Sequence, residues 1–186
     1  ALAMGADKGV HISDPAFDNA DAYVIANALA AVIKTLPHDI IFCGQRAIDD
    51  DSGQVGAMLA EFLGIPQLTL VTKLDYAGSS VKVIRPIEGA QLSIETSLPC
   101  VVTAQKGLNE PRYASLPGIM KAKKKRLDVK KAADLGVAAV GEAGSKTKFV
   151  KMFFPVSDHK AEIIEGDPKS AAAKLVDKLR NEAKVI

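Results

Sequence analysis

The residues best suited to chemistry in this 186-residue chain lie in one run, GQRAIDDDSGQVG, at positions 44–56. Three glycines, Gly44, Gly53 and Gly56, punctuate it, and three successive carboxylates, Asp49, Asp50 and Asp51, fill its middle. An apolar stretch, DIIFC, precedes the run, and the helical MLAEFLG follows it. Strand, loop and helix in that order place the loop at the carboxyl edge of a parallel sheet, where free N–H groups and the helix dipole favour a phosphate. Glycine lets a ligand approach the backbone closely. The aspartates fit either of two roles, as caps for the helix N–H groups or as acceptors from a ribose or adenine donor. The residues by themselves are equally compatible with a nucleotide site and with a plain helix cap.

A second chemical candidate is the basic run Lys121, Lys123, Lys124, Lys125 and Arg126. Aromatic residues do not interleave it and the whole chain carries a net charge of only +2, which argues against nucleic acid. A solvated face is the plain alternative. Just upstream, Leu116 stands between Pro111 and Pro117 in an otherwise polar loop. A leucine on a stiffened loop beside positive charge suits a protein anchor with an electrostatic steering patch.

Other motifs carry less. GEAGSKT at 141–147 superficially resembles a phosphate-binding P-loop, but its glycines are too close together and no helical pattern follows. His11, His38 and His159 share no ligand spacing and read as surface or capping residues. Cys43 and Cys100 sit in apolar runs without a CxxC pair, as expected of buried, reduced thiols. No GxGxxG, HExxH or GxSxG occurs, so dehydrogenase and hydrolase readings lack an anchor, and neither catalytic residues nor a metal are expected.

The elements that must hold the loop are legible from periodicity. The opening ALAMGADKG reads as a last helical turn ending at Gly5, then a strand near residues 10–13. A cap at Asp18 leads into NADAYVIANALAAVIKTL, with Tyr23, Ala26, Leu29, Ala30 and Ile33 at helical spacing and Pro37 beyond its end. With DIIFC as a strand buried on both faces, the pattern is βαβα and implies a parallel sheet. After Pro66 come short strands, LTLVTKLDY, VKVIRPI, AQLSIET and PCVVTAQ, with a hairpin turn at AGSS. From about Asp128 the periodicity weakens, as in an extended arm, and DPKSAAAKLVDKLRNEAKVI closes as a capped amphipathic helix. With 48% apolar and 25% charged residues, one ordinary core is expected, and no apolar stretch reaches the roughly 20 residues that span a bilayer.

The segments GQRAIDDDSGQVG, LNEPRYASLPGIMKAKKK, ALAMGAD and LRNEAKVI together resemble the β subunit of electron-transferring flavoproteins, and the resemblance runs through essentially the whole chain. It implies an α/β fold with a three-layer parallel sheet of the adenine-nucleotide α-hydrolase-like type, a short antiparallel segment and an extended C-terminal arm. Family members carry a further strand, helix and strand before ALAMGAD. Residues 1–127 are expected to form the nucleotide-binding domain, with a recognition loop at 108–126, and residues 128–186 an arm ordered by an α subunit. On the family pattern Gly44, Gln45, Arg46, Ala47, Ile48, Asp49, Asp50, Asp51, Ser52, Gly53, Gln54 and Val55 would line an AMP. Leu116, Pro117, Ile119, Met120, Lys121, Lys123 and Lys124 would dock acyl-CoA dehydrogenases, with Leu116 entering a pocket on the dehydrogenase. The redox-active FAD would belong to the α subunit of a heterodimer, and electrons would leave towards a quinone oxidoreductase. The chain would thus be an electron-carrier subunit, in a bacterial cytoplasm or a mitochondrial matrix, that neither binds nucleic acid nor inserts into membrane. Two alternatives remain: an electron-bifurcating relative with a second FAD in place of AMP and NADH oxidation, and a universal-stress-type nucleotide sensor.

Overall fold

A computed structural model describes residues 1–156 and 161–186, so His159 lies outside the described residues. Two compact units are present, Ala1–Phe149 and Val150–Ile186. The boundary falls later than the 127/128 division expected from sequence.

In the first unit a 3₁₀ turn at Leu2–Met4 leads to β1 (Lys8–Ile12), then α1 (Ala22–Ile33), β2 (Ile40–Gly44), α2 (Val55–Leu63) and β3 (Gln67–Val71). Helix α1 starts at Asp21, three residues later than expected, because the Asp21 carboxylate accepts the Val24 N–H at 3.1 Å. Of its expected apolar face, Ala26 and Ala30 are buried and Tyr23, Leu29 and Ile33 half-buried; Val24, Ala28 and Val32 complete the buried set. Gly64, left-handed at φ 68°, ends α2.

The LTLVTKLDY stretch, read from sequence as one strand, is two. Leu70 takes a left-handed φ of 61° and donates its N–H to Thr103 Oγ1 at 3.1 Å, breaking the ladder between Leu68 and Val71. Such a bulge bends a strand and redirects it. Beyond it β4 (Lys73–Tyr76), β5 (Ser80–Ile87) and β6 (Ala90–Ser97) form a separate antiparallel sheet, with the expected hairpin at residues 77–79. The chain then returns as β7 (Cys100–Ala104), the central strand of a parallel sheet in the order β2-β7-β3. Leu68, Val71, Val81, Val83, Cys100 and Val102 form one buried cluster contributed by both sheets.

After β7 come α3 (Leu116–Ala122) and β8 (Arg126–Lys130), which pairs in parallel with β1 as a two-stranded sheet. Among the described residues β1 and β2 are not hydrogen-bonded neighbours, so the expected continuous βαβα sheet is present as two parallel pieces. β2 is an edge strand, and Phe42 is 57% exposed on a face expected to be buried. The molecule is nonetheless a mixed α/β fold of parallel sheets with one antiparallel sheet and a C-terminal helix.

Residues 128–149, expected to belong to an arm, are fastened to the first unit. Asp14 accepts the N–H groups of Ala16 at 2.9 Å and Ala132 at 3.1 Å, joining the turn at Pro15–Phe17 to the turn at Ala132–Asp134. These contacts involve single carboxylates and backbone N–H groups, which leave no periodic trace in sequence. A short α4 (Gly141–Gly144) follows. Gly141 is left-handed at φ 60°, and a Cβ there would come within 2.6 Å of the Ala16 carbonyl, so the approach admits only glycine.

In the second unit, Val150, Met152, Phe153, Phe154 and Val156 are exposed. Helix α5 (Pro168–Asp177) starts at Asp167, whose carboxylate accepts the N–H groups of Lys169 and Ser170, and continues through a π-helical turn at Lys178–Glu182. Among the described residues no helix is long and apolar enough to cross a membrane.

Candidate functional site

The loop after β2 opens into a cleft of about 690 Å³. That lies within the roughly 300–1,000 Å³ of small-molecule sites. Of the residues expected there, Gly44, Gln45, Arg46, Ala47, Asp50, Ser52, Gly53, Gln54 and Val55 line it, and Ile48, Asp49 and Asp51 do not. Sequence reading missed Ala20, Asp21 and Thr147, which line it from the start of α1 and from past α4. A larger cleft of about 820 Å³ runs along β1 and α1, but its walls are mainly apolar and it touches none of the loop.

None of the three aspartates caps α2. Asp51 pairs with Arg46, Nη1 to Oδ1 at 2.8 Å; Asp49 accepts the Asp50 N–H at 3.0 Å; and Asp50 accepts the Ser52 N–H at 3.1 Å. They are used in folding the loop on itself. The N-cap position of α2 is Gln54, whose side chain makes no capping bond. The first-turn N–H groups of α2 are therefore left for solvent or a ligand, with the helix dipole favouring an anion. On the opposite polarity, Gln45 Oε1 is buried without a hydrogen-bond partner among the described residues. A buried acceptor without a donor is costly, and an amino or hydroxyl group of a bound ligand would satisfy it.

The glycines divide by role. A Cβ at Gly44 would meet nothing within 4 Å, and Gly53 is left-handed at φ 60°. Gly56 lines the cleft too, and it also packs α2 on β7: a Cβ there would lie 2.6 Å from Thr103 Cγ2. Cys43 is half-buried at the cleft and Cys100 fully buried; both are free, and burial pushes both thiols above the ordinary cysteine range.

Asp21 serves two segments at once. Besides the Val24 N–H, its carboxylate accepts the N–H groups of Lys146 at 2.6 Å and Thr147 at 2.9 Å, and the Thr147 hydroxyl at 3.1 Å. Desolvation raises its pKa, but the N–H bonds from Val24, Thr147 and Lys146 and the Thr147 hydroxyl together outweigh it, lowering the value from 3.8 to about 2. A carboxylate with a depressed folded pKa contributes stability in full above its unfolded value, and that contribution is lost as pH falls through the folded one. Acidification from the ordinary 3.8 towards about 2 is thus expected to release residues 145–147. Amide chemical shifts of Lys146 and Thr147 across that range check this; shifts that stay constant would contradict it.

The residues expected from sequence to dock a partner lie on and beside α3. Leu116 opens α3 instead of sitting in mid-loop, with Ser115 as N-cap accepting the Gly118 N–H at 3.1 Å and Pro117 in the first turn. Leu116 is 77% exposed, and Ile119 and Met120 are exposed beside it. The basic run splits. Lys125 Nζ donates to the carbonyls of Leu2 at 3.0 Å and Ala6 at 2.6 Å, and Arg126 pairs with Asp128 at 2.7 Å. Among the described residues no acidic side chain pairs with Lys121, Lys123 or Lys124. His11 is exposed, and His38 Nδ1 lies 2.8 Å from the Leu36 carbonyl past the end of α1. No cluster of metal-ligating side chains occurs among the described residues.

Residues 1–135 match the electron transfer flavoprotein domain family. The electron transfer flavoprotein subunit beta of Bacillus subtilis is 45% identical over 187 residues, spanning 100% of this chain and 72% of that protein. The chain belongs to the electron transfer flavoprotein β-subunit family. Its similarity extends to other β subunits of the family: that of Thermoanaerobacterium thermosaccharolyticum is 42% identical over 184 residues, covering 97% of this chain and 71% of that protein. The subunit from Sus scrofa is 48% identical over 139 residues, covering 74% of this chain and 54% of that protein.

Proposed function

We propose that this chain is a non-catalytic electron-carrier subunit that holds AMP in the loop cleft and docks acyl-CoA dehydrogenases through α3. The observation that carries the nucleotide assignment is the pairing of opposite polarities in one cleft. The uncapped first turn of α2 suits a phosphate, and the orphaned Gln45 Oε1 suits the amino or hydroxyl donors of a nucleoside. AMP would have a structural role here; the redox chemistry would be supplied by an FAD held mainly by the α subunit of a heterodimer, which passes electrons to a quinone oxidoreductase. The exposed apolar run at 150–156 and the half-exposed Leu175 and Val176 of α5 give the second unit apolar surface for that subunit.

Native mass spectrometry of the purified complex tests the reading, with AMP and an α subunit expected together. Flavin absorbance from the β subunit would instead support the bifurcating alternative, and neither nucleotide nor flavin would overturn the site. Gly44→Val sharpens the test. Its side chain meets no protein atom at the Cβ position, so AMP should be lost while the stability of the nucleotide-free protein stays within about 0.5 kcal/mol of the nucleotide-free parent. Stoichiometric AMP in that variant would refute the assignment.

A further inference from the structure

We propose that Asp21 is a positioning residue that clasps residues 145–147 against the nucleotide cleft and makes that segment a wall of the site. The inference rests on reading the cleft as a nucleotide site. Its geometric basis is independent of that reading. One carboxylate bridges the N-terminus of α1 and a segment more than 120 residues later, accepting two successive backbone N–H groups and a hydroxyl. The contact is reciprocal: the Asp21 N–H donates to Ser145 Oγ at 3.0 Å, and Ser145 Oγ donates to the Gly141 carbonyl at 2.9 Å. Lys146 Nζ lies 5.1 Å from the centre of the Tyr23 ring, a cation–π distance. Packing leaves the segment little room, since a Cβ on Gly144 would lie 2.6 Å from the Ala139 carbonyl and 3.0 Å from Val24 Cγ2.

Successive N–H groups converging on one oxygen form a concavity that binds anions. The Ser145-Lys146-Thr147 run builds such a concavity, and the anion in it is the protein's own Asp21. This gives the GEAGSKT resemblance a different physical meaning: the run grips a carboxylate instead of a phosphate, leaving the ligand phosphate to α2. Because Asp21 and Thr147 both line the cleft, closing the clasp and holding the ligand favour one another. Such coupling is reciprocal, so the nucleotide must also stabilise the clasp.

The test compares the complete complex with its Asp21→Ser and Ser145→Ala variants. Serine retains a cap for Val24 but lacks the charge and second oxygen that hold residues 146 and 147. Exchange of bound AMP for its fluorescent 1,N6-etheno derivative gives the dissociation rate; hydrogen exchange of residues 145–147, with and without added AMP, reports the clasp. Asp21→Ser is expected to release nucleotide roughly 10-fold faster, within the about 5–150-fold typical of coupled sites, and Ser145→Ala less so. AMP should protect residues 145–147 in the parent and fail to do so in Asp21→Ser; a merely structural aspartate would lower protection equally with and without AMP. Nucleotide release at the parental rate despite an opened segment would overturn the clasp while leaving the AMP site intact. A parent complex that binds neither AMP nor its etheno derivative would overturn both. If Asp21→Ser fails to assemble, Ser145→Ala decides: faster release with lost AMP-dependent protection supports the clasp, and parental behaviour overturns it.

Discussion

Gly56→Ala is expected to destabilise the first unit by about 1–3 kcal/mol, the usual cost of forcing a methyl into a filled core. The added carbon would sit 2.6 Å from Thr103 Cγ2, where van der Waals contact needs about 3.5–4.0 Å. Thr103 has little freedom to yield. It is 4% exposed on the central strand β7, and its hydroxyl receives the Leu70 N–H at the bulge. Thr103→Ser deletes the obstructing methyl but retains that hydroxyl. The double variant should therefore recover much of the loss, giving a favourable coupling in a double-mutant cycle measured by denaturant unfolding. Strict additivity would show that the α2–β7 approach is not what requires glycine.

Leu116→Ala is expected to cost about 2 kcal/mol of docking free energy, roughly 30-fold, because truncating a desolvated anchor leaves its pocket unfilled. The loss should fall mostly on dissociation and persist at every ionic strength. Reversing Lys123 and Lys124 to glutamate should instead slow association and flatten its salt dependence, since exposed charges are screened beyond about 10 Å at ~0.1 M salt. Lys125 is a poor choice for that test because it fastens the N-terminal turn. Stopped-flow reduction by an acyl-CoA dehydrogenase across a salt series separates the two classes of variant. An unchanged rate for Leu116→Ala in an assembled complex would remove α3 from the docking surface.

What sequence could show and what it could not divide along physical lines. The order β1-α1-β2-α2 was legible because apolar spacing and turn residues are local, and so was α5, with Asp167 and Pro168 at its start. The split of β3 from β4 was not, because Leu70 adopts a left-handed φ that nothing in LTLVT signals and that Thr103, 33 residues away, helps hold. Of the two roles open to the aspartates of the loop, capping is the one the fold removes: a triple-Asp run before a helix looks like a cap, and only the fold shows Asp51 turned to Arg46. Asp21 and Thr147 were missed for a related reason. Their bond spans 126 positions and involves a backbone N–H that every residue but proline possesses.

The buried cluster shared by the parallel and antiparallel sheets bears on how the chain can change in length. Val81 and Val83 from the hairpin sheet pack with Leu68, Val71, Cys100 and Val102, so the interior has no seam along which β4 to β6 could be excised. Deleting the hairpin would strip one wall from the core of the sheet that carries the loop after β2. Extra residues would be tolerated best where the sheet turns back on itself, at the exposed, glycine-bearing tips around Gly78 and Gly89. Insertions at those tips would leave this packing intact, and they would lie apart in sequence from both the loop after β2 and the helix that begins at Leu116.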